Sequence, residues 1–183
     1  KGAGLSAPVI PIEMAAYTRK ENWGASETFY QLVRGLLAST VPKPGDERPP
    51  RSSEQAPSVN LIGPTKLGFR CRDDVVEIRR LLESMGVRVN VVAPLDATPR
   101  DLLRIPEADA NVNLAPEVGE LTCEWLRRQF KQPTISTVPL GWGATRDFIG
   151  EVVETLGLDI DPDTVGDSRL PWYSRSVDST YLT

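Results

Sequence analysis

The chain has 183 residues, 40% of them hydrophobic and 25% charged, which suits one globular domain plus additional pieces. A net charge of −4 and a pI near 5.0 argue against a nucleic-acid binder, because phosphate contacts need a basic face. With no histidine, the chain cannot build a serine–histidine–aspartate triad or a zinc–histidine site, so its chemistry rests on carboxylates, hydroxyls or a partner's groups.

The N-terminal stretch KGAGLSAPVIPIEM has no initiator Met and no signal-peptide core, which suggests part of a longer protein. No apolar run approaches the roughly 20 residues needed to cross a bilayer. Residues 8–14 read as a short strand broken by Pro11, followed by a polar loop through residue 25. That loop holds Arg19, Lys20, Glu21, Asn22 and Trp23, which suit either a subunit contact or a self-packed loop. A helix over residues 26–39 follows, with Ser26 as N-cap and Phe29, Leu32, Val33 and Leu36 at helical spacing. Residues 41–57 contain prolines 42, 44, 49, 50 and 57 among charges and read as a linker.

Residues 58–157 alternate strand and helix. Strands are expected at 58–63, 87–94, 108–115 and 134–139. Helices are expected at 73–86, 98–105, 117–130 and 143–157. Thr98 and Pro99 fit N-cap and N1, while Gly86 and Gly157 fit stops. Val118, Leu121, Trp125 and Phe130 mark the buried face of the third long helix. Strands joined through helices run parallel with right-handed crossovers, so the expected fold class is α/β, a Rossmann-like doubly wound sheet in strand order 2-1-3-4. The domain expectation is the end of a first Rossmann-like domain at 1–40, a linker at 41–57, a complete second domain at 58–157, and a connector and arm at 158–183.

Ligands of such sheets sit beyond the carboxyl ends of the strands. Gly63, Gly68, Gly141 and Gly143 lie there, but none forms a GxGxxG, so they read first as turn glycines. Arg70, Arg72, Asp73 and Asp74 could clamp an anion or simply satisfy a helix N-terminus. The segment DIDPD lacks the order of a calcium loop and reads as a solvated connector. Cys71 and Cys123 are far apart and outside any CxxC, and are expected to be free thiols. In the closing SVDST, Asp178 stands beside hydroxyls and close to Trp172 and Tyr173. Drying there would raise its pKa and make it a proton donor, and the plainer alternative is an unstructured chain end.

The phrases PVIPIEMAAYTRKENWGASETFYQLVR, VNLIGPTKLGFRCRDD, LLESMGVRVNVVAP, GATRDFI and PWYSRSVDSTYLT closely resemble the B subunits of light-independent (dark-operative) protochlorophyllide reductases, a nitrogenase-like family. The resemblance covers nearly all of the chain outside the two connectors. It implies a heterotetramer with an N subunit. A separate ATP-Mg-dependent L reductase protein would deliver electrons through a [4Fe-4S] cluster held between N and B. The substrate would be protochlorophyllide, reduced at C17=C18 of ring D, in the cytoplasm or a plastid stroma. The SVDST aspartate of that family matches Asp178, which the resemblance makes the proton donor, reaching the other half of the tetramer. A second proton would come from the substrate's propionate. The cluster ligand contributed by the family's B chains is an aspartate nearer the N-terminus of the longer chain, so no metal ligand is assigned here. Cys71, Ala115 and Trp142 depart from the family pattern. The alternatives are the B-type chain of chlorophyllide a reductase and a non-catalytic Rossmann-like binding module.

Overall fold

Helices inserted between parallel strands cover both faces of the sheet, so its central strands are buried on both sides. The computed structural model describes residues 9–14, 21–43, 46, 55–167, 171, 174 and 175. Its strands are β1 (Ser58–Ile62), β2 (Arg88–Ala93), β3 (Ala110–Asn113) and β4 (Thr134–Ile135). They form one all-parallel sheet in the order β2-β1-β3-β4, the α/β Rossmann-like arrangement and the strand order expected from sequence. The helices are α1 (Glu21–Leu37), α2 (Cys71–Ser84), α3 (Pro99–Leu102), α4 (Pro116–Phe130), α5 (Gly141–Leu156) and α6 (Pro162–Asp167).

Side chains of β1 alternate between two cores. Val59 and Leu61 pack with Leu81, Leu82 and Met85 of α2 and with Phe148, Ile149 and Val152 of α5. Ile62 faces the other way, with Val33 and Leu37 of α1, Leu102 of α3 and Leu126 of α4. Helix α1, assigned from sequence to the end of a preceding domain, thus packs on α4 of the sheet domain across the 41–57 segment.

A row of amides crosses the sheet on the α4 side. Asn90 donates to the Asn60 side-chain oxygen at 2.9 Å, and Asn60 donates to Asn111 at 2.8 Å. Asn111 continues the row to Gln132 at 3.4 Å. The Ile105 carbonyl accepts from both Asn60 (2.9 Å) and Gln132 (3.0 Å), which ties the single turn Ile105–Glu107 under the strands. Asn60 and Asn111 are fully buried, and burial of an amide is tolerable only with such partners.

Several local expectations change. Residues 9–14 form no strand and instead lie against α1, with Ile10 over Gly35 and Met14 beside Gly24 and Thr28. Helix α1 begins at Glu21, so ENWGA is helical rather than loop, and Ser26 is a buried interior residue rather than an N-cap. Within this first part of α1, Gly24 lies beside Met14 of the 9–14 segment, which leaves little room for a longer side chain there. Strand β4 stops at Ile135 because the next two backbone N–H groups, of Ser136 and Thr137, donate to the Glu151 carboxylate at 2.9 Å each instead of extending the ladder. Helix α5 begins at Gly141, two residues early. The 158–170 connector contains helix α6, which packs on α5. Asp161 starts it by accepting from the Asp163 N–H (3.1 Å) and the Thr164 hydroxyl (2.7 Å), so DIDPD is a helix start. On α4 the buried row is Val118, Thr122, Leu126 and Phe130, while Leu121 is exposed and Trp125 sits edge-on to Phe130. The expected N-cap Thr98 holds: its hydroxyl accepts from the Asp101 N–H while the Asp101 side chain accepts from the Thr98 N–H.

Candidate functional site

The order β2-β1-β3 places crossovers from β1 and β3 on opposite faces of the sheet, which opens a crevice where their carboxyl ends part. A cleft of about 300 Å³ lies there. Ile78 of α2, Leu114, Val118 of α4 and Pro139 give it an apolar lining. Gly63 closes its floor at φ +109°, a region that favours glycine. A β-carbon there would lie 2.7 Å from the Ala115 backbone N, so this glycine serves the close approach of two loops. Gly141 also has positive φ, at +77°, and both fit the turn-glycine reading.

The cations around the mouth are engaged within the fold. Arg70 pairs with Asp73 at 2.9 Å, and Asp96 takes Lys66 at 2.7 Å and Arg72 at 3.8 Å. The Lys66 ammonium hydrogen-bonded to Asp96, with Arg72 nearby, holds that carboxyl below the usual range. Asp73 and Asp74 occupy the first turn of α2, where they complement the helix dipole. The 70–74 cluster is therefore the helix-terminus charge pattern, and an incoming phosphate would meet carboxylates there. The remaining groups at the cleft are Thr65, Cys71 and the carboxylates of Asp74, Glu77 and Glu117.

Both cysteines are free. Cys71 is half-buried at the cleft and packs against the α2/α5 core, whereas Cys123 is buried in the α1/α4 core on the other side of the sheet. Burial, with Glu120 adding to it, pushes the Cys123 thiol up to about 12, so it is no thiolate ligand or nucleophile near neutral pH. Among the described residues no cluster of Cys, Asp or Glu is arranged to hold a metal ion, and these residues do not fit a metal-cluster site. Asp178 lies outside the described residues, as do Trp172 and Tyr173. Among the described residues no helix is long and apolar enough to cross a membrane.

Two features of this region were not read from the sequence. One is the exposed pair Phe69 and Leu140 at the cleft, contributed by loops 71 positions apart in the chain (140 − 69). The alternating Asn60, Asn90 and Asn111 are the other, and their shared place in strands expected to pair was the available signal.

Comparison with known proteins adds a second line. The model of the family described as "Nitrogenase component 1 type Oxidoreductase" matches residues 1–183. The B subunit of the light-independent protochlorophyllide reductase of Halorhodospira halophila is 61% identical over all of this chain and 34% of its own length. Proteins of the same name from Synechococcus sp. (strain RCC307) and Rhodopseudomonas palustris are 56% and 57% identical, again over the whole chain and 36% and 34% of their own lengths. The chain thus spans about a third of the length of the curated relatives it matches. With a family match over every residue, the chain belongs to the nitrogenase component 1 type oxidoreductases.

Proposed function

We propose that the chain is a stretch of the B subunit of a light-independent protochlorophyllide reductase. The observation that carries this reading is 61% identity along the entire chain to a protein of that name. In that role the longer polypeptide works with an N subunit, and an ATP-Mg-dependent L protein supplies the electrons. An iron–sulfur cluster, [4Fe-4S], supplies one-electron chemistry when bound between N and B, with ligands outside this stretch. The substrate is protochlorophyllide, and C17=C18 of ring D gains two electrons and two protons.

Asp178 is the residue of this chain assigned a role at the reacting atoms. As a neutral carboxylic acid it donates one proton to the ring carbon and is left as carboxylate, to be reprotonated from solvent. Trp172 and Tyr173 nearby in sequence suit an environment that keeps the acid protonated by limiting its hydration. The second proton comes from the substrate's propionate. Because this acid is a carboxyl, the absence of histidine from the chain is compatible with the chemistry.

The relatives carry the protochlorophyllide name, which disfavours the chlorophyllide a reductase alternative. The paired cations at the sheet mouth disfavour a nucleotide-binding module. The test supplies each pigment in the dark to the family-length polypeptide reconstituted with N and L proteins, ATP and reductant. Conversion of protochlorophyllide alone is the expected result. Reduction of chlorophyllide a with protochlorophyllide untouched would overturn the assignment.

A further inference from the structure

We infer that Arg146 is a positioning residue for Asp178: it fastens the connector back along α5, toward the carboxyl-end edge of the sheet, before the chain goes on to that acid. The inference rests on the reading of Asp178 as proton donor.

Helix α5 starts next to Leu140 of the cleft and runs away from it for 16 residues. A chain that simply continued past Gly157 would lead away from the edge at which ligands of such sheets bind. The connector instead doubles back. Asp163, the second residue of α6, pairs with Arg146, which lies 10 positions before the last residue of α5 (156 − 146), or about 15 Å of helix. The same side chain runs past the other end of α6, where a β-carbon on the buried Gly166 would lie 3.3 Å from Cγ of Arg146. Asp167, the last residue of α6, and Asp147 add attraction at longer range. Arg146 thus engages both ends of α6, while Val165 supplies an apolar contact with the α2/α5 core.

Asp178 follows 11 positions after α6 ends (178 − 167). Eleven fully extended residues would span about 40 Å. Pro171, Ser174 and Arg175 are helical, which shortens that reach and makes the seat of α6 matter to where the acid arrives. The ion pair is about half-exposed, and such pairs add little to global stability. Its loss is therefore expected in turnover rather than in melting.

The experiment measures dark chlorophyllide formation by the family-length polypeptide reconstituted with N and L proteins, ATP and reductant. The forms compared are the parent, Arg146→Ala, Asp178→Ala, the two combined, and the charge swap Arg146→Asp with Asp163→Arg. Tm and tetramer assembly are followed in parallel. Arg146→Ala is expected to assemble and melt like the parent, with kcat lowered about 10-fold or more and KM for protochlorophyllide within about 2-fold. The swap is expected to restore most of that kcat. In the Asp178→Ala background, Arg146→Ala is expected to lower the residual rate no further, because its effect passes through the acid. Parent-like kcat in Arg146→Ala would overturn the inference, as would an equal fold-loss in both backgrounds or a loss confined to assembly. Asp178→Ala turning over at the parent rate would instead overturn the reading of the proton donor, and the inference with it.

Discussion

Gly119 offers the sharpest quantitative test of the packing between α4 and the sheet. Alanine at a helix interior gains about 1 kcal/mol over glycine by propensity alone. Here the new methyl would lie 2.4 Å from the Asn113 side-chain oxygen and 2.9 Å from Cγ2 of Ile62. Both neighbours are buried at the carboxyl ends of β3 and β1 and cannot swing into solvent. Asn113 is further held by donating to Glu120 at 2.9 Å. Overpacking of this kind costs about 3 kcal/mol, and displacing the Asn113 hydrogen bond adds about 1 kcal/mol. The net expectation for Gly119→Ala is a loss of about 3 kcal/mol, or roughly 6–12 °C in Tm for a chain of this size. Gly150 supplies the control: it also lies inside a helix, α5, but a β-carbon there meets nothing within 4 Å. Gly150→Ala is expected to gain about 1 kcal/mol. Thermal and urea unfolding followed by circular dichroism would measure both. If Gly119→Ala were as stable as the parent, or more so, the close approach of α4 to the strand ends would be refuted.

Other expectations concern the amide row, the thiols and the β4 terminus. Asn60→Ala removes the hydrogen bonds that Asn60 makes with Asn90, Asn111 and the Ile105 carbonyl and should cost about 3 kcal/mol in urea unfolding, whereas a change within a few tenths of parent would mean the row contributes nothing. Cys71 should react with an aromatic disulfide reagent at pH 8 well before Cys123, whose modification should follow unfolding; equal rates would contradict the placement of Cys123 in the core. At Glu151, burial raises the carboxyl pKa, but the Ser136 and Thr137 donors outweigh it and hold it below its ordinary 4.5. Its stabilisation is therefore present above pH 4.5 and lost as pH falls below that. Glu151→Gln should lower stability by about 1 kcal/mol near neutral pH, discounted for its exposure, with the gap to parent closing on acidification. A gap independent of pH would mean that the charge is not what holds the β4 terminus.

The alternation of apolar runs with amphipathic stretches made the parallel sheet readable, because both faces of such a sheet are covered, whereas alternation alone leaves the strand order open, and the order expected was the one found. Thr98 and Pro99 were readable for the same local reason: a cap is a short-range pattern. What escaped reading depended on contacts between distant segments. Met14 lies beside Gly24 near the start of α1 and Ile10 over Gly35 near its end, contacts that no helical window contains. Strand β4 ends early because Glu151, 14 or more positions away, takes the donors its extension needs. Thr122 hid the true face of α4, since a buried hydroxyl reads as solvent-facing and shifts the apparent stripe to Leu121. At the site, the cations of the sequence-read anion clamp pair with Asp73 and Asp96, and the Asp96 pairing joins two crossover loops whose proximity only the fold provides. Asp178 was singled out through the SVDST phrase, and its role rests on the chemistry proposed for the longer polypeptide.

The most direct measurement is chlorophyllide formation in the dark by the family-length polypeptide reconstituted with N and L proteins, ATP and reductant, as the parent and as Asp178→Ala, with tetramer assembly measured in parallel by gel filtration. The proposed function predicts turnover by the parent, and assembly with turnover lowered at least about 100-fold in the variant, the scale of a lost general acid. A parent that makes no chlorophyllide, or a variant that assembles and turns over normally, would contradict it.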